Sequence, residues 1–222
     1  VNLGTGIGDD QISGLTLQAD GRIVVAGATF NGVDSDFAVA RFLSNGLLDT
    51  SFGGDGVVTA DSGRGNDAAY CLVVQPDGRI VVVGATFNNG AEDFGLMRYL
   101  SDGSVDTSFG TNGGVATAFG GGADLAYKVA LTSSGKIVVV GTTDNGVNFD
   151  FAVARYLSNG SLDTTFDSDG KLALDFASGD DIAFGVAVQP SGQIVVAGSG
   201  FNGSVSTFAV ARINTNGNLD TS

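Results

Sequence analysis

The side chains able to do chemistry in this sequence are almost all carboxylates. It holds 24 Asp and Glu against 10 Lys and Arg, with no His, no Trp, one Cys (Cys71) and one Met (Met97). Without His, the Ser-His-Asp and Cys-His nucleophile systems and the common zinc sites are excluded. A single Cys excludes a disulfide framework and an iron–sulfur cluster. Two chemistries remain. Paired acids could run a glycosidase-like hydrolysis, with one raised and one ordinary carboxyl about 5–10 Å apart. Clustered oxygens could hold a hard cation.

The charged residues recur at a fixed step of 57 residues. Arg41, Arg98, Arg155 and Arg212 obey it, as do Asp49, Asp106, Asp163 and Asp220, and again Asp10, Asp67, Asp124 and Asp181. Each arginine lies in an apolar segment such as Ala38-Val39-Ala40-Arg41-Phe42, where an unpaired charge is very costly. The expected role of the arginines and of both aspartate sets is therefore structural: ion pairs inside each unit that fix a strand to its loop. A second recurring feature is a polar loop of fixed length, 31–36, 88–93, 145–150 and 202–207. Its candidate ligand-binding residues are Asn31, Asp34, Asp36, Asn89, Glu92, Asp93, Asn145, Asp150 and Asn202.

Several sharper motifs dissolve under the repeat. Asp167-Ser168-Asp169-Gly170 resembles the start of a calcium loop, but 53–56 and 110–113 keep only the Asp-Gly or Asn-Gly turn. No copy carries the full ligand spacing with a distal Glu. No metal and no cofactor is expected on this ground, calcium being the one ion such acidic turns could suit. Glycine-rich connections at 4–8, 63–65 and 120–122 precede strands, whereas a phosphate cradle needs a following helix. Cys71 aligns with Gly14, Lys128 and Gly185, and reads as a small residue filling space in an inner strand. Asn159-Gly160-Ser161 and Asn202-Gly203-Ser204 fit the glycosylation acceptor pattern, which matters only in a pathway that glycosylates.

The elements that must position these residues follow from the same period. Gly21, Gly78, Gly135 and Gly192 mark one turn per unit, so the chain is four copies of a 57-residue unit without insertion or deletion. The second copy predicts strands at 69–75, 79–87, 93–100 and 114–119, separated by Pro-Asp-Gly and Asn-Gly turns. Runs such as Ile80-Val81-Val82-Val83 are apolar on both faces, where a sheet with one wet face would alternate. Four-stranded antiparallel units buried on both faces describe β-propeller blades; a β-solenoid, with coils about half this length, fits less well. We expect an all-β fold, one propeller domain over 1–222, with units near 10–66, 67–123, 124–180 and 181–222 plus 1–9. Residues 1–5 align with the fourth strand of the unit, so they are expected to pair as the outer strand of the last blade and close the ring. Two chains forming one eight-bladed ring would satisfy the same pattern.

The strings Leu-Gln-Ala-Asp-Gly-Arg-Ile-Val-Val-Ala-Gly (17–27), Asp-Phe-Ala-Val-Ala-Arg-Phe-Leu (36–43) and Leu-Asp-Thr-Ser-Phe-Gly (48–53) resemble the delta-60 repeat proteins of bacteria. The likeness runs through the whole chain. It implies a β-propeller, often within exported or cell-surface proteins, and implies no activity. Ser206-Thr207-Phe208 departs from it by lacking the acid before Phe.

Composition bounds the function. Glycine supplies 36 of 222 residues, hydrophobic residues 43% and charged residues only 15%, so the chain can bury a core. Its longest apolar runs are far short of the roughly 18 residues of a membrane helix. The chain begins at Val1 without a signal peptide, as a trimmed or processed chain would. A net charge of −14 argues against nucleic acid and anionic membranes. The expectation is a non-enzymatic binding or scaffold module, extracellular or at a cell surface. Its partners would be a glycan, a cell-wall polymer or a protein, with self-assembly in the same class. The competing reading is a carboxylate-based hydrolase acting on a polysaccharide, which the strict symmetry disfavours.

Overall fold

A computed structural model describes residues 9–62, 65–176 and 178–221. Among them there is no helix, and no helix is long and apolar enough to cross a membrane. Fifteen strands form four antiparallel sheets, each in chain order from one edge to the other. The first holds β1 (Asp10–Leu17), β2 (Ile23–Phe30), β3 (Ser35–Phe42) and β4 (Val57–Ala60). The second holds β5 (Asp67–Val74), β6 (Ile80–Asn88), β7 (Ala91–Tyr99) and β8 (Gly114–Thr117). The third holds β9 (Asp124–Leu131), β10 (Ile137–Asp144), β11 (Phe149–Tyr156) and β12 (Lys171–Leu174). The last holds three described strands, β13 (Asp181–Val188), β14 (Ile194–Phe201) and β15 (Ser206–Ile213). These are the β-propeller blades that the repeat requires. The segment expected to add a fourth strand to the last blade, 1–5, lies outside the described residues.

Each blade repeats two backbone devices. The first is a turn joining its first two strands, in which Gly21 sits at φ 84° and donates to the Gln18 carbonyl (3.0 Å). Gly78, Gly135 and Gly192 do the same at φ 81–88°, a region that only glycine enters freely. The second is a bulge in the first strand, which skips residue 13, 70, 127 or 184 in the register with its neighbour. The bulge drives a carbonyl into the facing strand, and a glycine receives it. A Cβ on Gly84 would stand 1.8 Å from the Ala68 oxygen, and Gly27, Gly141 and Gly198 are alike at 1.7–1.9 Å.

The contacts divide the chain into two compact units, Val1–Gly90 with Phe94–Ala116, and Ala91–Asp93 with Thr117–Ser222. In the first, Val24, Phe37, Val39 and Phe52 of one blade meet Ala69, Leu72, Ile80 and Val82 of the next. In the second, Val138, Val140, Phe151 and Phe166 meet Ala183, Ile194 and Val196. Both faces of β6, β7, β10 and β11 are buried, which is why they show no polar alternation. One repeated position breaks the pattern. Phe37, Phe94 and Phe151 are at most 1% exposed, whereas Phe208 on β15 is fully exposed.

Candidate functional site

The recurring arginines sit in the third strand of each blade; Arg41, Arg98 and Arg155 turn inward, and Arg212 is half-buried. Arg41 Nε donates to Asp49 Oδ2 (2.8 Å), and its guanidinium lies 4.6 Å from the Phe52 ring centroid. Its other nitrogens reach Ser51 Oγ and the Ser101 carbonyl sixty residues on, in the next blade. Arg155 repeats the set with Asp163 (2.7 Å), Thr165, the Thr215 carbonyl (2.6 Å) and Phe166. Arg98 pairs with Asp106 (2.9 Å) and Arg212 with Asp220 (2.7 Å). The side chains of Arg41, Arg98 and Arg155 are 5–7% exposed, so they clamp strand to loop and face no ligand. The turn residue at positions 22, 79, 136 and 193 supplies a second donor to the same carboxylate, as Arg, Arg, Lys and Gln. Hydrogen bonds from Ser51 hold the Asp49 carboxyl below its ordinary range, against the opposing effect of burial.

The second aspartate set was expected to share those arginines, and here the structure corrects the expectation. Asp67 accepts from the Ser62 amide and hydroxyl (both 2.8 Å), and Asp124 from the Phe119 amide (2.7 Å). Asp181 accepts from the Phe176 amide (2.6 Å). Each of these aspartates opens the first strand of a blade, at the opposite end from the arginine clamp. Asp10 likewise opens β1 and accepts from the Thr29 hydroxyl (2.5 Å).

The candidate loops divide into a displayed part and a buried part. Asn31, Asn89, Asn145 and Asn202 are exposed. Asn31 Oδ1 accepts from the amides of Val33 and Asp34, while its amide nitrogen donates to Asp34 Oδ1 (2.8 Å) and Asp36 Oδ2 (2.9 Å). Asn145 makes the same bonds to Val147, Asn148 and Asp150. The result is a self-braced loop with a solvent-facing apolar tip, Val33 at 86% exposure and Val147 at 90%. The second copy differs despite its equal length. β6 and β7 run on to a two-residue turn, with Asn89 at φ 53° and Gly90 at φ 100°, and half-buried Glu92 lies within β7.

Asp36, Asp93 and Asp150 are buried and do not face the rim. Two of them meet acids that the sequence alone does not join to them. Asp36, Asp61 and Asp67 each offer a carboxylate oxygen, and the three atoms lie within 4.8 Å of one another; Asp150, Asp175 and Asp181 do the same. Burial pushes the carboxyls of Asp36, Asp67 and Asp150 above their ordinary range. The neighbouring negative charges add to it: Asp61 and Asp34 on Asp36, and Asp175 and Asp181 on Asp150. Such a donor set is all oxygen and suits a hard cation.

With this geometry in view, comparison with known proteins bears on fold before function. A domain of unknown function, the DUF5122 β-propeller, matches residues 18–52, 75–109, 132–166 and 189–222, one stretch per blade. No curated protein matches the chain. Among solved structures, a gluconolactonase from Xanthomonas campestris is 16% identical with a TM-score of 0.51, over 94% of this chain and 60% of its own. An endo-arabinase from Bacteroides thetaiotaomicron is 10% identical with a TM-score of 0.50, over 92% of this chain and 75% of its own. The chain thus spans less than two thirds of the gluconolactonase. Identities this low speak for the fold alone. They still correct the expectation that regular blades argue against an enzyme, because both neighbours are enzymes.

Proposed function

The chain belongs to the DUF5122 β-propeller family, and from that premise we propose that it is a binding module for an extended partner, a polysaccharide or a protein of a cell surface. The observation that carries this reading is the pair of self-braced loops at 31–36 and 145–150. A loop held by its own hydrogen bonds loses little conformational freedom when it binds, and the apolar tips at Val33 and Val147 offer desolvation to a partner. Equivalent loops on separate blades let weak contacts to a repetitive polymer add through avidity. The resemblance to delta-60 repeats supports an exported or cell-surface setting for such a module. The net charge of −14 favours neutral or cationic partners over nucleic acid.

The test is a thermal-unfolding screen of the chain against neutral and acidic glycans. A ligand that binds only the folded state adds RT ln(1 + [L]/Kd), about 2.7 kcal/mol at a hundredfold excess over Kd. The reading expects a shift with at least one glycan or purified surface protein, lost in Val33→Asp/Val147→Asp while the unliganded midpoint stays put. A shift that survives the double substitution would remove the loops from the site.

A further inference from the structure

The paired aspartate triads are one device built twice. Asp36 ends the braced loop 31–36, Asp61 follows β4, and Asp67 opens β5. Asp150, Asp175 and Asp181 hold the corresponding places 114 residues on. In each triad the middle aspartate is exposed and the outer two are buried. Asp36 and Asp150 are each 7% exposed and give Oδ2 to the loop asparagine, while Oδ1 is buried without a hydrogen-bond partner. A buried carboxylate oxygen left unmatched is costly, and a cation is what would satisfy it.

The second blade supplies an internal comparison. Its equivalent positions are Asp93, Ala118 and Asp124, so the middle carboxylate is absent. There the Lys171 ammonium donates to the Ala118 carbonyl (3.0 Å), and burial raises the Asp124 carboxyl above its ordinary range, with the Lys171 charge offsetting only a part of it. Where the middle acid is missing, a protein cation stands near Asp124.

We propose that Asp36–Asp61–Asp67 and Asp150–Asp175–Asp181 are two calcium sites, each tying a polar loop to the following blade. The oxygen spacing agrees with ligands about 2.3–2.6 Å from a shared ion, and the absence of His and thiol donors favours calcium over zinc or copper. The exposed middle aspartate gives the ion an entry from solvent. This proposal is independent of the ligand assigned to the loops.

Calorimetric titration of the chelator-treated chain with calcium chloride tests it, alongside the thermal midpoint. Two ions per chain are expected, with a midpoint that rises with calcium. Asp61→Asn or Asp175→Asn leaves one ion, and the double variant leaves none and loses the shift. Both positions are exposed, so the variants keep their fold. Asp169→Asn, in the turn that resembles a calcium loop, keeps both ions. The proposal is overturned if calcium gives neither heat nor shift, or if either response persists in the Asp61→Asn/Asp175→Asn chain.

Discussion

Replacing Asp163 by Asn removes one negative charge from the interior of the third blade and keeps its shape. Asp163 Oδ2 accepts from Arg155 Nε and Lys136 Nζ (both 2.7 Å), and Oδ1 from the Thr165 hydroxyl (2.6 Å) and amide (3.2 Å). The Arg155 and Asp163 side chains are 5% and 3% exposed. Breaking a buried pair from one side costs about 3–5 kcal/mol, because the remaining charge is left without a partner. Lys136 is 31% exposed and can turn to water, and Arg155 keeps the Thr215 carbonyl and the Phe166 ring. The lower end, about 3 kcal/mol, is therefore expected, and for a chain of this length it lowers the thermal midpoint by about 6–12 °C. The assay is urea unfolding with calorimetry, beside Asp20→Asn, which weakens the exposed Arg22 pair and should cost under about 0.5 kcal/mol. pH gives a second arm. Burial raises the Asp163 carboxyl, but the Lys136 and Thr165 hydrogen bonds and the Arg155 charge outweigh it, leaving it well below the ordinary range. A folded-state pKa below the unfolded one gives stability that is present above about pH 4 and lost as pH falls through the folded value. The wild type should lose more stability than Asp163→Asn on acidification. Equal costs for Asp163→Asn and Asp20→Asn, with parallel acid profiles, would refute the clamp.

Other positions separate local geometry from repeat identity. Phe37→Ala should cost about 3–5 kcal/mol and Phe208→Ala less than about 0.5, although the two occupy the same place in the unit; urea midpoints decide it. A large cost at Phe208 would mean that its face is covered in solution. Gly84→Ala drives a methyl into the Ala68 carbonyl and should cost about 3 kcal/mol, whereas Gly121→Ala meets nothing within 4 Å and should be near neutral by the same measurement.

Much of the fold follows from sequence because every blade obeys one local rule. The 57-residue step, the doubly apolar strands and the turn glycines set strand order and pairing without long-range information. The Arg41–Asp49 clamp is legible for the same reason: its partners are eight residues apart across one turn. The role of Gly84 was not, since only the bulge in β5 brings a carbonyl against it. The triads escaped as well. Within its own segment Asp36 reads as a rim ligand and Asp67 as an arginine partner. They meet because β3, the end of β4 and the start of β5 converge where one blade packs on the next. Spacing along the chain carries local pairing, but burial of a shared carboxylate cluster exists only after blades stack, and its electrostatic demand is a property of that packing.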